Sequence, residues 1–290
     1  MTARLGVVLA LALALAAGAR AESPRVVSLA PHLTELAYQA GIGDHLVGAV
    51  EWSDHPAAAR QLPRIGDAFR FDAERILALD ATHALAWTGG TPAAAIEQIE
   101  NLGITVLSIE TRTLDQIGDA LETLGALGQR PEVGRRAARR YREALEERRQ
   151  ADRPDRAPLR IFYQVSARPL FTLGGRHVIN EVFGLCGARN VFAGLDVEAA
   201  PVGAEAVLDA SPDLLLVGLE PAGDTPQGPG ERARARVNPA LGTECRPVVG
   251  VEAAPLVRPT PRILDAADRL CAALAPFRSD TDPACGNAGR

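Results

Sequence analysis

Short apolar segments alternate with amphipathic helical segments along most of this chain, and this alternation restricts the fold more than any other feature. Strands that alternate with helices of ordinary length form a largely parallel sheet with helices on both faces. We therefore expect an α/β fold. In the first half of the chain, the pattern predicts strands at residues 25–29, 46–50, 84–87 and 104–109 and helices at residues 34–38, 73–79 and 93–102.

One long helical segment interrupts this alternation. Pro131 suits the first turn of a helix, and the pattern continues to about residue 149. The apolar residues near one face of this predicted bridging helix are Val133, Ala137, Tyr141, Ala144 and Leu145. The α/β pattern then restarts with a predicted strand at residues 159–165. This order predicts two α/β lobes joined by one helix; the alternative is a single doubly wound domain with an insertion.

A weak internal repeat supports the two-lobe interpretation. Residues 74–87 align without a gap with residues 205–218. Each segment has a glutamate that opens a short helix, two apolar residues, a polar turn and a buried strand. The alignment places Glu74 and Glu205 at equivalent positions of the two lobes. Duplicated lobes with a cleft between them are typical of a protein that captures a ligand.

The N-terminus reads as an export signal. Arg4 precedes the apolar run of residues 5–17, and residues 19–21 form an A-x-A cleavage site. The run is shorter than the ~20 residues that a membrane span needs, although a membrane anchor is the alternative. We therefore expect a periplasmic protein. The predicted organisation is a signal peptide (1–21), a first lobe (22–129), the bridging helix (130–156), a second lobe (157–276) and a tail (277–290).

Charge and cysteine content narrow the class of protein. The formal net charge of -5 argues against a nucleic-acid partner, because phosphates favour a basic surface. The four cysteines are Cys186, Cys245, Cys271 and Cys285. An even count in an oxidising compartment predicts one or two disulfides, and all three pairings remain open. The cysteines lack the C-x-x-C spacing of a zinc site.

The sequence contains none of the common catalytic motifs. It has no glycine-rich phosphate loop, no nucleophile elbow and no H-E-x-x-H. Its five histidines are scattered, and no two of them have i,i+4 spacing. With the export signal and the two lobes, this favours a binding protein without a cofactor over an enzyme. An exported α/β enzyme stays the alternative from a different class.

Several segments resemble a known family. Residues 24–31 and 34–36 resemble the opening of the helical-backbone (class III) metal-chelate solute-binding proteins, which serve ABC importers of cobalamin, haem and siderophores. The resemblance runs from about residue 24 to residue 275 and implies two parallel sheets bridged by one backbone helix. Segments similar to the cobalamin branch are residues 52–56, 73–79, 86–90, 102–104, 169–172, 186–192 and 261–263.

The resemblance also implies a ligand site in the cleft. Trp52, Trp87 and Phe171 match aromatic positions of the family's ligand contacts, and Pro31 and His32 match the rim of the first lobe. A corrin is a large flat ring with apolar patches and an amide-rich edge, which aromatic side chains and loop amides can hold. A loop is expected around Phe171. For Trp87, a role in the core is the alternative.

Two aromatic positions of the family are not kept. The family has a tryptophan just before the helix of Glu74; here that position is Ala68 or Phe69, and Phe69 is the candidate substitute. The corresponding tryptophan of the second lobe is missing from residues 198–201. Each lost ring contact costs on the order of 1 kcal/mol. The ligand is therefore cobalamin, a related corrinoid or another macrocycle.

In this family, one surface glutamate on each lobe pairs with arginines on the transporter. The resemblance assigns this docking role to Glu74 and Glu205, the two residues that the internal repeat aligns. The alternative is an ordinary helix N-terminal carboxylate, which interacts favourably with the helix dipole. The implied partners are the permease and ATPase subunits of an importer at the inner membrane, and we expect the protein to be a monomer.

The resemblance further implies that Cys186 pairs with Cys271. This would leave Cys245 and Cys285 for a second disulfide, with an exposed free thiol as the alternative. His32 and His55 are expected as polar residues of the cleft rim and not as metal ligands, although an imidazole could ligate cobalt or iron. A haem or ferric-siderophore carrier remains the competing interpretation. Basic residues that could contact an anionic siderophore are Arg70, Arg168, Arg176 and Arg258.

Overall fold

The computed structural model describes residues 23–67, 69–151, 157–221, 227–243 and 246–278. The predicted signal peptide therefore lies outside the described residues, as do Ala68, Cys245 and Cys285. So does nearly all of the predicted tail. Within the described residues, no helix has the length and apolar character needed to cross a bilayer.

The first lobe is built on a four-stranded parallel sheet with the strand order β2-β1-β3-β4. Each predicted strand is present with slightly shifted ends. The strands are β1 (Val26–Ser28), β2 (Leu46–Ala49), β3 (His83–Trp87) and β4 (Thr105–Ile109). The helices around them are α1 (Pro31–Gln39), α2 (Ala73–Ala78), α3 (Ala93–Asn101) and α4 (Leu114–Leu127). The sequence pattern did not predict α4.

The predicted bridging helix is α5 (Pro131–Gln150), with Pro131 in its first turn. Its buried residues include Tyr141, whose hydroxyl donates a hydrogen bond of 2.9 Å to the carbonyl oxygen of Leu114. Helices α4 and α5 approach closely at two glycines: a Cβ atom added to Gly125 would lie 2.7 Å from the Cα atom of Gly134. Only glycine leaves room for this contact between the two helices.

The second lobe contains a second four-stranded parallel sheet, with the order β11-β10-β5-β8. A smaller antiparallel sheet of order β6-β7-β9 lies beside it. The strands are β5 (Leu159–Gln164), β6 (Ser166–Ala167), β7 (Leu170–Leu173), β8 (Ala188–Asn190), β9 (Ala199–Pro201), β10 (Leu214–Leu219) and β11 (Val248–Glu252). The helices are α6 (Ile179–Leu185), α7 (Ala204–Asp209), α8 (Pro229–Arg236), α9 (Ala253–Val257) and α10 (Ile263–Leu274).

The antiparallel sheet corrects one prediction. Phe171 lies within β7, where it pairs with Ser166 and Pro201, and not in the expected loop. The glycines that suggested a loop follow the strand: Gly174 and Gly175 donate backbone hydrogen bonds to residues 198 and 195.

The two lobes share part of their interior. One apolar cluster contains buried residues of α1 and α4, Tyr141 and Leu145 of α5, and buried residues of α6 and α10. The disulfide implied for Cys186 and Cys271 is present, and it joins the end of α6 to α10. The bridging helix is therefore packed into a common core and is not an isolated connector.

Candidate ligand-binding cleft

A cavity of about 450 Å³ opens where the two lobes face each other. Side chains of both lobes line it, and its charges are mixed. From the first lobe it is lined by Trp52, Asp54, His55 and Arg60; from the second lobe it is lined by residues that include Glu220, Glu252, Val257, Arg258 and Arg262. This cavity is the place at which the predicted cleft would hold a ligand.

Trp52 presents an aromatic ring at this cavity. Its side chain is 74% exposed, and its φ angle of 64° lies in the left-handed region, which is unusual for a bulky residue. Backbone outliers of this kind persist where the surrounding structure enforces them, and they concentrate at ligand-contact sites. The exposed indole is therefore available to stack on a flat molecule.

His32 and Trp87 contact each other at the junction of the lobes. Their ring centroids are 5.1 Å apart, and the rings meet edge to face at 84°. His32 is buried, with 5% of its surface exposed, and is not a side chain of the exposed rim as expected. Among the described residues, neither His32 Nε2 nor Trp87 Nε1 has a hydrogen-bond partner. Buried polar atoms are usually paired, so these two unpaired atoms are unusual.

Trp87 is half-buried at the end of β3 and also packs against the apolar core. The two glycines that follow it fold back over its indole: a Cβ atom at Gly89 would lie 2.8 Å from ring carbons of Trp87, and Gly90 approaches the same ring. Side chains at these two positions would collide with the ring. The turn after β3 therefore fixes the indole beside His32.

The electrostatic environment keeps the buried imidazoles neutral. Burial lowers the pKa of His32 to about 3, and the nearby charge of Arg258 acts in the same direction. Burial also lowers the pKa of His177 to about 4. The Nδ1 atom of His177 accepts a hydrogen bond of 3.1 Å from the backbone N–H of Ile179. No sequence motif pointed to a functional role of His177, because its nearness to His32 depends on how the lobes meet.

Charged side chains connect the lobes on either side of this junction. Glu35 of α1 is fully buried, and both of its carboxylate oxygens accept hydrogen bonds of 2.7 Å from Arg262. Asp54 pairs with Arg258 at 2.8 Å. Sequence reasoning assigned no role to Glu35 and Arg262, although both lie in segments that carry the family resemblance. These two ion pairs fix the position of the first lobe relative to the second.

A second set of contacts lies near the start of α4. Arg112 donates a hydrogen bond of 3.1 Å to Glu198, and the backbone N–H of Leu114 donates one of 2.8 Å to Glu181. Burial raises the pKa of the Glu198 carboxyl, and the Arg112 partner opposes that shift. Polar side chains of the second lobe thus anchor the loop that follows β4.

The other predicted ligand residues are less closely grouped. Pro31 is the first residue of α1 and is half-buried. Phe69 is 73% exposed, and its backbone N–H donates a hydrogen bond of 2.8 Å to Asp67. Phe171 is half-buried in β7. Of the predicted ligand residues, only Trp52 lines the cavity, beside His55; the cavity lining does not include Pro31, His32, Phe69, Trp87 or Phe171. His32 and Trp87 form a separate ring contact.

Two arginines considered for an anionic siderophore already have carboxylate partners. Arg258 pairs with Asp54, and Arg176 donates two hydrogen bonds of 2.6 Å to Asp196. This pairing neutralises half of the proposed cationic set, and it weakens the siderophore interpretation.

The predicted docking glutamates are exposed on matching helices. Glu74 lies in the first turn of α2, and Glu205 lies in the first turn of α7. In α2, the Asp72 side chain accepts a hydrogen bond of 3.0 Å from the backbone N–H of Arg75. Because Asp72 already caps this helix, the carboxylate of Glu74 remains available for a contact outside the protein.

Comparison with known proteins agrees with this architecture. Residues 26–231 match the family described as periplasmic binding protein. This chain belongs to the periplasmic binding protein family. A relative described as vitamin B12-binding protein, from Vibrio cholerae, is 37% identical over 247 residues, which are 85% of this chain and 87% of that protein.

Solved structures of other periplasmic proteins have the same fold as this periplasmic binding protein. The periplasmic vitamin B12 binding protein BtuF of Vibrio cholerae superposes with a TM-score of 0.75 at 36% identity, covering 89% of this chain and 99% of that chain. The periplasmic heme-binding protein RhuT from Roseiflexus sp. RS-1 has a TM-score of 0.72 at 24% identity, covering 88% and 98% of the two chains. The second likeness concerns the fold alone.

Proposed function

We propose that this periplasmic binding protein captures cobalamin or a closely related corrinoid between its lobes and delivers it to an ABC importer in the inner membrane. The observation that carries the proposal is the 37% identity, over 85% of the chain, to a vitamin B12-binding protein. In this proposal the protein acts in the periplasm as a monomer, after removal of the signal peptide, and its partners are the permease and ATPase subunits. It needs no cofactor and catalyses no reaction.

The geometry of the cleft supports a corrin ligand. Trp52 offers an exposed aromatic face, which suits the flat apolar part of the ring. His32 Nε2 and Trp87 Nε1 are buried polar atoms without partners among the described residues. The amides at the edge of a corrin both donate and accept hydrogen bonds, so they could satisfy this indole N–H and imidazole nitrogen if ligand binding opens the His32–Trp87 contact.

Haem is the second candidate ligand, and the environment of His32 is the observation in its favour. Because the pKa of His32 is lowered to about 3 by burial, the ring is neutral at physiological pH. Only a neutral imidazole nitrogen ligates a metal, and Nε2 of this ring has no partner in the described part of the chain. His32 is therefore the residue that could ligate a haem iron.

Calorimetric titration of the mature protein with cyanocobalamin tests the proposal. We expect a dissociation constant in the nanomolar range for the wild type. Trp52→Ala should weaken binding roughly tenfold, because one ring contact is worth about 1 kcal/mol or slightly more. Phe277→Ala is the matched control: Phe277 is also an exposed aromatic residue, but it lies in the 3-10 turn that follows α10 and does not line the cavity.

Further titrations separate the alternatives. Phe69→Ala should also weaken binding if Phe69 replaces the tryptophan found at that position in the family. An absence of heat with both cyanocobalamin and its precursor cobinamide would contradict the corrinoid proposal. Binding of haemin that disappears in His32→Ala would then establish the second candidate.

The docking part of the proposal predicts a separate phenotype. Glu74→Arg/Glu205→Arg should abolish stimulation of the importer's ATPase activity in proteoliposomes, because each reversed charge would face arginines of the permease. Cobalamin affinity should be unchanged. The control is Glu100→Arg, a reversal at another exposed glutamate. Stimulation that stays at the wild-type level would contradict docking through these two residues.

A further inference from the structure

The internal repeat that relates the two lobes also matches the burial of their side chains. Ile76 of α2 and Val207 of α7 occupy aligned positions, and both are buried. The next residues are leucines that point outward: Leu77 is 49% exposed and Leu208 is 36% exposed. Single exposed leucines are ordinary on protein surfaces. Because these two leucines lie at aligned positions of a duplicated helix, their exposure is a feature of the repeat.

Each exposed leucine lies three residues after a docking glutamate. Residues three apart are neighbours on one face of a helix, so Leu77 adjoins Glu74, and Leu208 adjoins Glu205. Each lobe therefore presents the same pair of side chains, a carboxylate beside an apolar group. A surface that occurs twice in this way fits a partner that has two equivalent sites.

The Arg25 side chain stabilises the turn that follows α2. The guanidinium group of Arg25 donates hydrogen bonds to the carbonyl oxygens of Leu79 at 2.7 Å and Asp80 at 3.1 Å, just beyond α2. The backbone N–H of Arg25 donates to the hydroxyl of Thr82 at 3.0 Å. A cation at this position satisfies carbonyl groups that a helix leaves unpaired at its C-terminus.

The second lobe contains the same arrangement. The guanidinium group of Arg160 donates hydrogen bonds to the carbonyl oxygens of Ala210 and, at 3.2 Å, Ser211, just beyond α7. The backbone N–H of Arg160 donates to a carboxylate oxygen of Asp213 at 2.7 Å. In the alignment of the repeat, these three acceptor residues coincide with the three of the first lobe.

The two arginines fix the orientation of very short helices. Helices α2 and α7 have six residues each, and isolated helices of that length are not stable in water. The second residue after each helix has a positive φ angle, 47° at Asp80 and 43° at Ser211. The arginine hydrogen bonds to these two turns therefore set the direction in which each helix presents its exposed glutamate and leucine.

We propose that Leu77 and Leu208 are apolar contacts of the importer interface, beside the two glutamates, and that Arg25 and Arg160 are positioning residues for these contacts. The proposal rests on the proposed docking function. The partner is a twofold importer whose outer face offers, at two equivalent places, an apolar pocket next to a cation. The carboxylates supply the matching charge, and the leucines fit the apolar character of the buried centre of such interfaces.

The test measures the affinity of the ligand-loaded protein for the importer in nanodiscs. Leu77→Gln/Leu208→Gln should raise the dissociation constant at least tenfold, because two apolar contacts are lost. Its cobalamin affinity should equal that of the wild type. The control is Leu195→Gln, since Leu195 is 37% exposed but lies outside both docking helices.

The arginines are tested in the same assay. Arg25→Met/Arg160→Met should weaken docking and leave cobalamin affinity unchanged, because the guanidinium groups act on α2 and α7 and not on the cleft. Arg25→Lys/Arg160→Lys should restore part of the docking affinity, since an ammonium group can still donate to a helix-terminal carbonyl. A purely structural role would instead lower both affinities together.

Two results would overturn the proposal, and they differ in what they imply. If the double glutamine variant docks like the wild type while Glu74→Arg/Glu205→Arg does not dock, the leucines are not contacts and the proposed function stands. If the wild-type protein itself does not bind the importer, both the docking function and the leucine contacts are wrong. A glutamine variant that fails to bind cobalamin would be replaced by Leu77→Ala/Leu208→Ala.

Discussion

Arg262→Ala is expected to lower the free energy of unfolding by about 3–5 kcal/mol, the usual cost of removing one partner of a buried ion pair. Glu35 is fully buried, and Arg262 supplies hydrogen bonds to both of its oxygens. The variant would leave a carboxylate in the shared interior without its cation. Because Glu35 belongs to the first lobe and Arg262 to the second, the loss acts directly on the junction between the lobes.

Urea denaturation followed by circular dichroism measures this effect. The matched control is Arg149→Ala, which removes a bidentate arginine–aspartate pair at the surface, formed with Asp115. Exposed pairs contribute about 0–1 kcal/mol, so the control should remain close to the wild type. Glu35→Gln/Arg262→Ala should be less destabilised than Arg262→Ala, because no charge is left buried. Equal losses in Arg262→Ala and Arg149→Ala would contradict the structural account.

Cys186→Ala/Cys271→Ala is expected to lower the free energy of unfolding by about 2–5 kcal/mol. The disulfide connects residues separated by 85 positions. In the chain-entropy description, cross-linking so long a loop restricts the unfolded chain strongly, by an amount near the upper end of that range. Alanine is preferred to serine because Cys186 is buried, with 2% of its surface exposed.

Denaturation in the absence and presence of a reductant measures this contribution. The wild type should lose stability when the reductant is added, and the double variant should lose less. Counting free thiols in the wild type decides a related prediction: none should be found if Cys245 also pairs with Cys285. Coincident denaturation curves for the wild type and the double variant, both without reductant, would show that the disulfide contributes nothing.

The parallel sheets and the bridging helix were predictable from local patterns. Buried parallel strands are short continuous apolar runs, and the amphipathic repeat of α5 extends over 20 residues. Helix α4 was missed although the sequence contains its signal. Thr113 and Gln116 form a capping box at its start, with Thr113 accepting a hydrogen bond of 3.3 Å from the backbone N–H of Gln116.

Other features depend on contacts between distant parts of the chain. The small antiparallel sheet is made from strands that are too short to identify by themselves. The sequence pattern did not predict α8 either, because a helix of eight residues with several arginines has little apolar periodicity.

The candidate docking residues Glu74 and Glu205 were selected by the repeat alone, because it compares two segments of one sequence; their role stays a prediction. The repeat did not reveal Arg25 and Arg160, which precede those glutamates by different distances along the chain. Glu35 and Arg262 are 227 positions apart, so their pairing follows only from the way in which the lobes meet.

The apolar cluster that runs through α5 into both lobes has a mechanical consequence. Moving the lobes far apart would expose part of this common interior to water, at a cost of about 25 cal/mol for each Å² of apolar surface. Thermal motion can therefore widen the mouth of the cleft only slightly. A larger separation needs work from outside, and in the proposed docking the importer, which contacts both lobes at once, would supply that work when the ligand is released.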